Sequence, residues 1–401
     1  MTYVLQAIKT HVKKYCHKVY ENSGLNLFWS VDNSLEVINA IKSKRYTVSE
    51  INTFDFSTLY TSLPLHLVKT KLIGLVEKTF AREKTTFVVV SKNKAFFSDN
   101  KYNNCLYWSC EDVCDILRFL LDISFIKFGN DVYKQFTGIP MGANYAPLVA
   151  DLFLFCYESE FMKNLSRSID LNLIKKFNNT YRYLDDLCSL DNTLFQTYIT
   201  AIYPKELILL QSNSSDNKAT FLDLDIQIHN LHCTIKIYDK RDDFDFDIVN
   251  FPHLDGDIPI SPSYGTYLSQ LIRFARVCNK VEDFNDRNSI ISRKLLKQGF
   301  LYHKLRKTFA KFYNRHFDLV EQFNSSLIKL IEKGISHPHF YGDFLKKIKK
   351  VKYKANGVSL QHTVSLITQD FLNRKYNKHI LKNTCSLVLS SETMANIPIL
   401  L

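Results

Sequence analysis

Apolar residues of the first segment recur at helical spacing. Val4, Leu5, Ile8, Val12 and Tyr15 share one face and predict a helix over residues 3–20. Leu35, Val37, Ile38 and Ile41 predict a second helix, with Asp32 and Asn33 as candidate N-caps. Lys42, Lys44 and Arg45 close it, favourably for the helix dipole. The pattern then shifts to Phe54-Asp55-Phe56, a hydrophobic strand with an acid inside it. Pro64 follows, and Leu67, Val68, Leu72, Leu75 and Val76 predict a helix from His66 to Phe80. Thr86–Val90 is a β-branched strand, and residues 91–108 are polar and hairpin-like. Ser109 with Asp112 forms a capping-box pattern for a helix over Glu111–Leu121. Phe125–Phe128 and Val132–Phe136 flank Gly129-Asn130 as a hairpin. That hairpin runs into a Gly/Pro-rich loop, TGIPMGANYAP (137–147), which opens a strongly apolar helix from Leu148 to Met162.

Residues 177–192, FNNTYRYLDDLCSLDN, place Tyr181 and Tyr183 before, and Leu187, Cys188 and Leu190 after, an adjacent acid pair. This predicts a β-hairpin with Asp185 and Asp186 at its tip. A helix over Thr193–Tyr203 ends at Pro204, and Leu207–Leu210 is a strand. The alternation in TFLDLDIQI predicts one half-buried strand over Thr220–Ile228. Cys233–Tyr238 and Phe244–Phe251 continue a small sheet. The composition changes near Pro259–Ser263, where Ser263 is a candidate cap for a helix over Tyr264–Val277. Further helices are predicted over Phe284–Gln298, Tyr302–His316 and Leu319–Lys333, dense in Lys and Arg. The tail from Ser336 holds a basic run, Lys346 to Lys354.

Length and composition narrow the class. The 401 residues correspond to about two or three domains, and 46% apolar content suffices for a sizeable core. A formal net charge of +12 suits a polyanionic partner. Nine cysteines (16, 105, 110, 114, 156, 188, 233, 278 and 385) are scattered, without Cys-x-x-Cys, which fits a reducing compartment rather than a disulfide framework or a zinc site. The N-terminus lacks an apolar core for a signal peptide, and the most apolar run, Pro147 to Tyr157, is short and contains Asp151. The expectation is a soluble, intracellular protein, cytoplasmic or nuclear.

The candidate chemistry lies in the acids. Adjacent carboxylates repel, and an acid within a hydrophobic strand is costly unless it meets a cation. In a strand, neighbours face opposite ways, so one of Asp185 and Asp186 points fully at a given metal. Acid strand, Gly/Pro loop with helix, then acid hairpin: this order resembles the palm of a reverse transcriptase, where the blocks are motifs A, B and C. The match rests on Asp55 with Tyr60, on Pro140-Met141-Gly142 with Ala146-Pro147, and on Tyr183-Leu184-Asp185-Asp186. FDFSTLYTSLP (54–64) and GIPMG (138–142) are most similar to the Penelope-like retroelement branch, related to the group II intron and telomerase enzymes. The resemblance spans roughly residues 50–320.

That resemblance implies an α+β fold: a right-hand polymerase palm, an antiparallel sheet with packed helices, followed by an all-helical thumb. Residues 1–50 would be N-terminal helices, a remnant of fingers, 51–230 palm and fingers, 231–260 a small primer-grip sheet, and 261–335 the thumb. The basic tail, 336–401, resembles no assigned module. The implied activity is RNA-directed DNA polymerisation by two-metal nucleotidyl transfer to a primer 3′ end. Two Mg²⁺ or Mn²⁺ ions would serve, with Asp55, the Phe56 backbone carbonyl and Asp185 as ligands and Asp186 as the supporting acid. Tyr60 would pack under the sugar and exclude a 2′-hydroxyl. Gly138, Pro140, Met141 and Gly142 would line the nascent base pair, Met141 standing where many relatives carry Gln. Lys218 is the candidate proton donor to pyrophosphate. Arg182 would balance charge or touch the primer, and Tyr264, Arg273, Arg276, Lys304 and Arg306 would hold the duplex through its phosphates. The acid-rich stretch 239–247, DKRDDFDFD, reads instead as a solvated strand edge with inward Phe244 and Phe246.

The implied partners are an RNA template, a DNA primer and deoxynucleoside triphosphates. No GIY-YIG endonuclease motif follows residue 330, so integration would need a separate endonuclease. Fifty-four residues precede Asp55, and the family's basic fingers motifs are not recognisable among them. A second reading is therefore a truncated, catalytically impaired reverse-transcriptase derivative that still binds nucleic acid.

Overall fold

The structure, a computed structural model, describes residues 1–323 apart from 168, 169, 247, 249 and 250. Helix α1 (Thr2–Ser23) ends at Gly24, whose φ of 68° is the left-handed conformation that closes many helices. In α2 (Ser34–Ser43) the Asn33 side chain accepts from the Leu35 amide at 2.9 Å, so Asn33 rather than Asp32 is the cap. Strand β1 (Ile51–Ser57) leads into a single helical turn, α3 (Leu59–Ser62), and then α4 (Leu65–Glu83). Strands β2 (Phe87–Val90), β3 (Ala95–Phe97) and β4 (Leu106–Ser109) form an antiparallel sheet in the order β3-β2-β4. Helix α5 (Cys110–Asp122) carries the expected capping box between Ser109 and Asp112. Strands β5 (Phe125–Phe128) and β6 (Asp131–Lys134) form the expected hairpin. Helices α6 (Ala146–Arg167) and α7 (Leu171–Phe177) precede the acid hairpin, β7 (Thr180–Tyr183) and β8 (Asp186–Leu190). Helix α8 (Phe195–Ile202) then connects to strand β9 (Ile208–Gln211).

The remaining elements are β10 (Lys218–Phe221), β11 (Leu224–His229), β12 (His232–Ile237), α9 (Ile260–Val277), α10 (Val281–Lys297), α11 (Tyr302–Arg315) and α12 (Phe317–Glu321). Strands β10, β11 and β12 form a second sheet in that order.

Three expectations change. TFLDLDIQI is two strands, because the chain turns at Leu222, whose φ is 55°. Ser263 lies inside α9, where its hydroxyl donates to the Pro259 carbonyl at 2.7 Å, and the helix begins at Ile260. Lys240–Asp243 is a short 3-10 turn, and Phe244 and Phe246 are exposed, so no strand with inward rings forms over the described part of 244–251. Most of the helix expected over Leu319–Lys333, and the whole basic tail, lie outside the described residues.

By its contacts the chain divides into two compact units, Met1–Leu222 with Ile226–Cys233, and Asp223–Asp225 with the described residues from Thr234 to Phe323. The first is an α+β unit around a four-stranded sheet in the order β7-β8-β1-β9, with β8 antiparallel to β7 and to β1, and β9 antiparallel to β1. Helices α1, α4 and α6 pack together and contribute to one apolar core with the sheet. Trp29 is fully buried there and packs with the rings of Phe161, Phe177 and Phe195. Each such side chain removed from water contributes roughly 1.5–3 kcal/mol, so the core dominates the stability of the sheet. In the second unit α9 packs with α10 and α11 through Leu271, Phe274, Phe284, Phe309 and Phe312. Among the described residues no helix is long and apolar enough to cross a membrane.

Candidate active site

Asp55 is the exposed position of β1; Ile51 to Phe54 and Phe56 are buried. The strand's apolar residues anchor it on both sides, and the acid opens to solvent rather than into the core. Its partner in the β1–β8 register is Asp186, and the next pair places Phe56 beside Asp185, with the Phe56 amide donating to the Asp185 carbonyl at 3.2 Å. Cross-strand partners share a face. A row therefore crosses the sheet as Tyr183, Asp186, Asp55 and Leu210, by the β7–β8, β1–β8 and β1–β9 registers. Asp185 sits in the two-residue turn with Leu184, which adopts a φ of 53°, a costly conformation for a branched side chain. The sequence assigned Asp185 as the ligand and Asp186 as support; in the register it is Asp186 that directly faces Asp55.

The turn is held from behind by Arg182, which is fully buried. Its guanidinium donates to Glu158 Oε1 and, at 3.1 Å, to Glu158 Oε2. It also donates to Asp151 Oδ1 at 2.9 Å and to the Leu184 carbonyl at 3.1 Å. Lys9 reaches the second Asp151 oxygen at 2.8 Å, and the Tyr203 hydroxyl donates to Glu158 Oε1 at 2.9 Å. Burial pushes the Asp151 carboxyl up, but Arg182 and Lys9 outweigh it, so the group lies below the ordinary carboxylate value. The backbone of Arg182 is tied as well: its amide donates to Trp29 and its carbonyl accepts from Val31, each at 2.8 Å. Arg182 is thus a positioning residue of the hairpin: of its two expected roles it balances charge, that of Asp151 and Glu158, and its full burial closes it to a primer. Sequence reading missed Asp151 and Glu158. Two acids seven apart in an apolar helix were the available signal, because a buried carboxylate needs a cation.

The Gly/Pro loop lies against the segment after Asp55. The Gly138 amide donates to Leu63 at 2.9 Å and the Ile139 amide to Tyr60 at 2.7 Å, both to backbone carbonyls. Gly138 has a φ of 79°, and a Cβ there would stand 2.5 Å from the Tyr60 carbonyl oxygen. Only glycine fits. Pro140 is half-buried, while Met141 and Gly142 are exposed. Tyr60 is half-buried, and burial, then the charges of Asp185 and Asp151, raise its hydroxyl above its ordinary value. The structure thus brings Asp55, Phe56, Tyr60, Gly138, Asp185 and Asp186 into one neighbourhood. A cavity of about 210 Å³ adjoins it, lined in part by Tyr183, Leu184, Pro147 and Asp151.

Other expected residues lie elsewhere. Lys218 is exposed at the start of β10, in a bridge with Ser215, whereas Asp55 pairs with Leu210. In the second unit, Arg276 is exposed and Arg273 is engaged by Asp223 at 2.8 Å. Lys304 lies over the Tyr264 ring, 5.8 Å from its centroid, and Arg306 is half-buried. Tyr264 is buried, and its hydroxyl accepts from the Leu301 amide at 3.0 Å, so it packs the helices together instead of facing a duplex. In the acid-rich stretch, Asp239 pairs with Arg241, and Asp242 with Arg287 and Lys294.

Among the described residues no group of three or more His, Cys, Asp and Glu side chains stands ready to hold a metal by itself. The facing carboxylates of Asp55 and Asp186, beside Asp185, nevertheless supply the hard oxygen donors that Mg²⁺ takes, commonly one or two carboxylates with phosphate and water.

No protein-family model matches the chain, and no curated protein matches it. It is similar to solved telomerase structures. A telomerase from Candida albicans in complex with a TWJ fragment of telomeric RNA matches with a TM-score of 0.48 and 14% identity over 92% of this chain. A Candida tropicalis telomerase with the same kind of RNA fragment gives 0.41 and 16% over 92%, and its apo form 0.39 and 13% over 98%. The chain spans between 57% and 58% of the length of these telomerases.

Proposed function

We propose that the chain is an RNA-directed DNA polymerase of retroelement type, extending a primer 3′ end with deoxynucleotides on an RNA template. The first unit would serve as the palm and the basic helices α9 to α11 as the thumb, with FDFSTLYTSLP and GIPMG pointing to the Penelope-like branch. The observation that carries this reading is the β1–β8 register, which sets Asp55 opposite Asp186 and beside Asp185. The Gly138 loop is bonded to the Tyr60 backbone next to it.

Two Mg²⁺ or Mn²⁺ ions, when bound, would stabilise the attacking and leaving oxygens of an in-line phosphoryl transfer. Asp55 and Asp185 would hold them with the Phe56 carbonyl, and Asp186 would add a carboxylate on the Asp55 face. Opposed like charges on a sheet destabilise it, so these acids favour a cation between them. Arg182 fixes the turn that carries Asp185, through Leu184, without donating to the substrate. Tyr60 would lie under the sugar and exclude a 2′-hydroxyl, and the Gly138 to Gly142 backbone would lie along the base pair. In the thumb, Arg276, Lys304 and Arg306 would contact phosphates without reading bases. Primer extension on an RNA template, with Asp55→Asn as the control, tests the reading.

A further inference from the structure

Helices α4 and α6 leave a groove between them, with Tyr15 and Cys16 of α1 also in its lining. Its cavity is about 320 Å³. Lys71, Lys78 and Arg82 line it from α4, at spacings that share one helix face. Lys163 and Arg167 line it from α6, one turn apart. Glu160 is the one carboxylate in the lining, and it is taken by Lys71 at 2.6 Å. Among the described residues no carboxylate pairs with Lys78, Arg82 or Lys163.

Arg82 is held in place, its guanidinium 3.9 Å from the Tyr15 ring centroid. Lys163 is half-buried, and burial, then the charges of Arg82 and Lys78, lower its ammonium below the ordinary value. Cys16 and Cys156 also line the groove, but burial pushes both thiols up to about 12, so they stay neutral and offset none of the positive charge. A concave site that gathers five cations against one occupied carboxylate is costly when empty and is matched by a multiply charged anion. Lys163 stands roughly 25 Å along α6 from the end that abuts the Gly138 loop, so the groove is separate from the acid hairpin.

We propose that this groove is a phosphate-binding site, taking either the phosphodiester run of a nucleic-acid strand or a free polyphosphate. Lys78, Arg82 and Lys163 would contact the phosphates. The site is independent of polymerase activity.

The full chain is titrated calorimetrically with inorganic tripolyphosphate, and its affinity for a labelled single-stranded RNA is measured over a range of salt. Lys78→Ala combined with Lys163→Ala should weaken the phosphate probe about tenfold or more. If a strand is the natural ligand, the same variant should lower the salt slope of RNA binding by about 1.4. Glu160→Gln releases Lys71 and should strengthen binding, a gain that misfolding does not produce. Saturable tripolyphosphate binding that moves in both directions identifies a free polyphosphate. A change confined to the RNA slope, with the Glu160→Gln gain, identifies a strand. Unchanged binding of both probes in the double variant, or weakening in all variants including Glu160→Gln, overturns the proposal.

Discussion

Asp55 and Asp186 are direct partners in the antiparallel register of β1 and β8, and their carboxylates lie on the same face of the sheet. That pairing is unfavourable between two anions alone and becomes favourable around a divalent cation. Mg²⁺ or Mn²⁺ should therefore raise the melting temperature of the wild-type chain. Asp55→Asn should lose most of the metal-dependent increase. Equal increases in both proteins would place the cation elsewhere.

Gly138→Ala should be destabilising, because a Cβ meets the Tyr60 carbonyl at 2.5 Å and the backbone is left-handed. The expected loss is about 1–3 kcal/mol in chemical denaturation, with a larger loss of any polymerase activity as the loop shifts from Tyr60. Gly142→Ala is the comparison. Its φ of 94° is also strained, but nothing stands within 4 Å of the added carbon, so its cost should be smaller.

Arg182→Met should lower stability by about 3–5 kcal/mol, since it strands two buried carboxylates. A primer-binding arginine would instead leave stability unchanged and weaken nucleic-acid affinity. Urea denaturation with a parallel binding assay separates the two roles.

Acid should destabilise the first unit only below about pH 4. Asp151 is held below its ordinary value of 3.8 by Arg182 and Lys9 against the opposing effect of burial. Asp191 is likewise lowered, the Lys44 bond and the Ser49 hydroxyl and amide outweighing burial. For carboxyls depressed on folding, the stabilisation is present above the unfolded value and is lost as pH falls through the folded one. Stability should hold from neutral pH down to about 4 and fall steeply below it. Asp151→Asn should flatten part of that fall.

Much of this was legible in the sequence. The helical spacing of Val4, Leu5, Ile8 and Val12, the Ser109–Asp112 box and the Tyr-Leu-Asp-Asp hairpin each carry a local physical signal, and each forms as expected. The Arg182 network was not legible. Asp151 and Glu158 acquire their meaning only when β7 packs against α6, a contact set by tertiary structure. The turn at Leu222 was hidden for another reason: a leucine with positive φ breaks a strand without any glycine, proline or asparagine to mark it. The signal that was present is a change of phase: Phe221 and Leu222 are adjacent apolar residues, and the buried positions switch from Ala219 and Phe221 to Leu224, Ile226 and Ile228. The exposed Phe244 and Phe246 show a further limit, since apolar identity sets a preference and not a position.

Tyr60→Ala tests the sugar selectivity proposed for this position. The variant should incorporate ribonucleotides that the wild type rejects, read as a rise in relative incorporation on the same primer. Unchanged selectivity would leave Tyr60 as a packing residue beside the loop.

The most direct measurement is primer extension on an RNA template with Mg²⁺ and with Mn²⁺, comparing wild type with Asp185→Asn and Asp55→Asn. The wild type should extend the primer, both variants should lose extension, and all three should retain nucleic-acid binding. A wild type that binds duplex in a salt-sensitive way yet extends nothing under either metal would contradict the polymerase reading, and would make the chain a nucleic-acid-binding derivative of a polymerase.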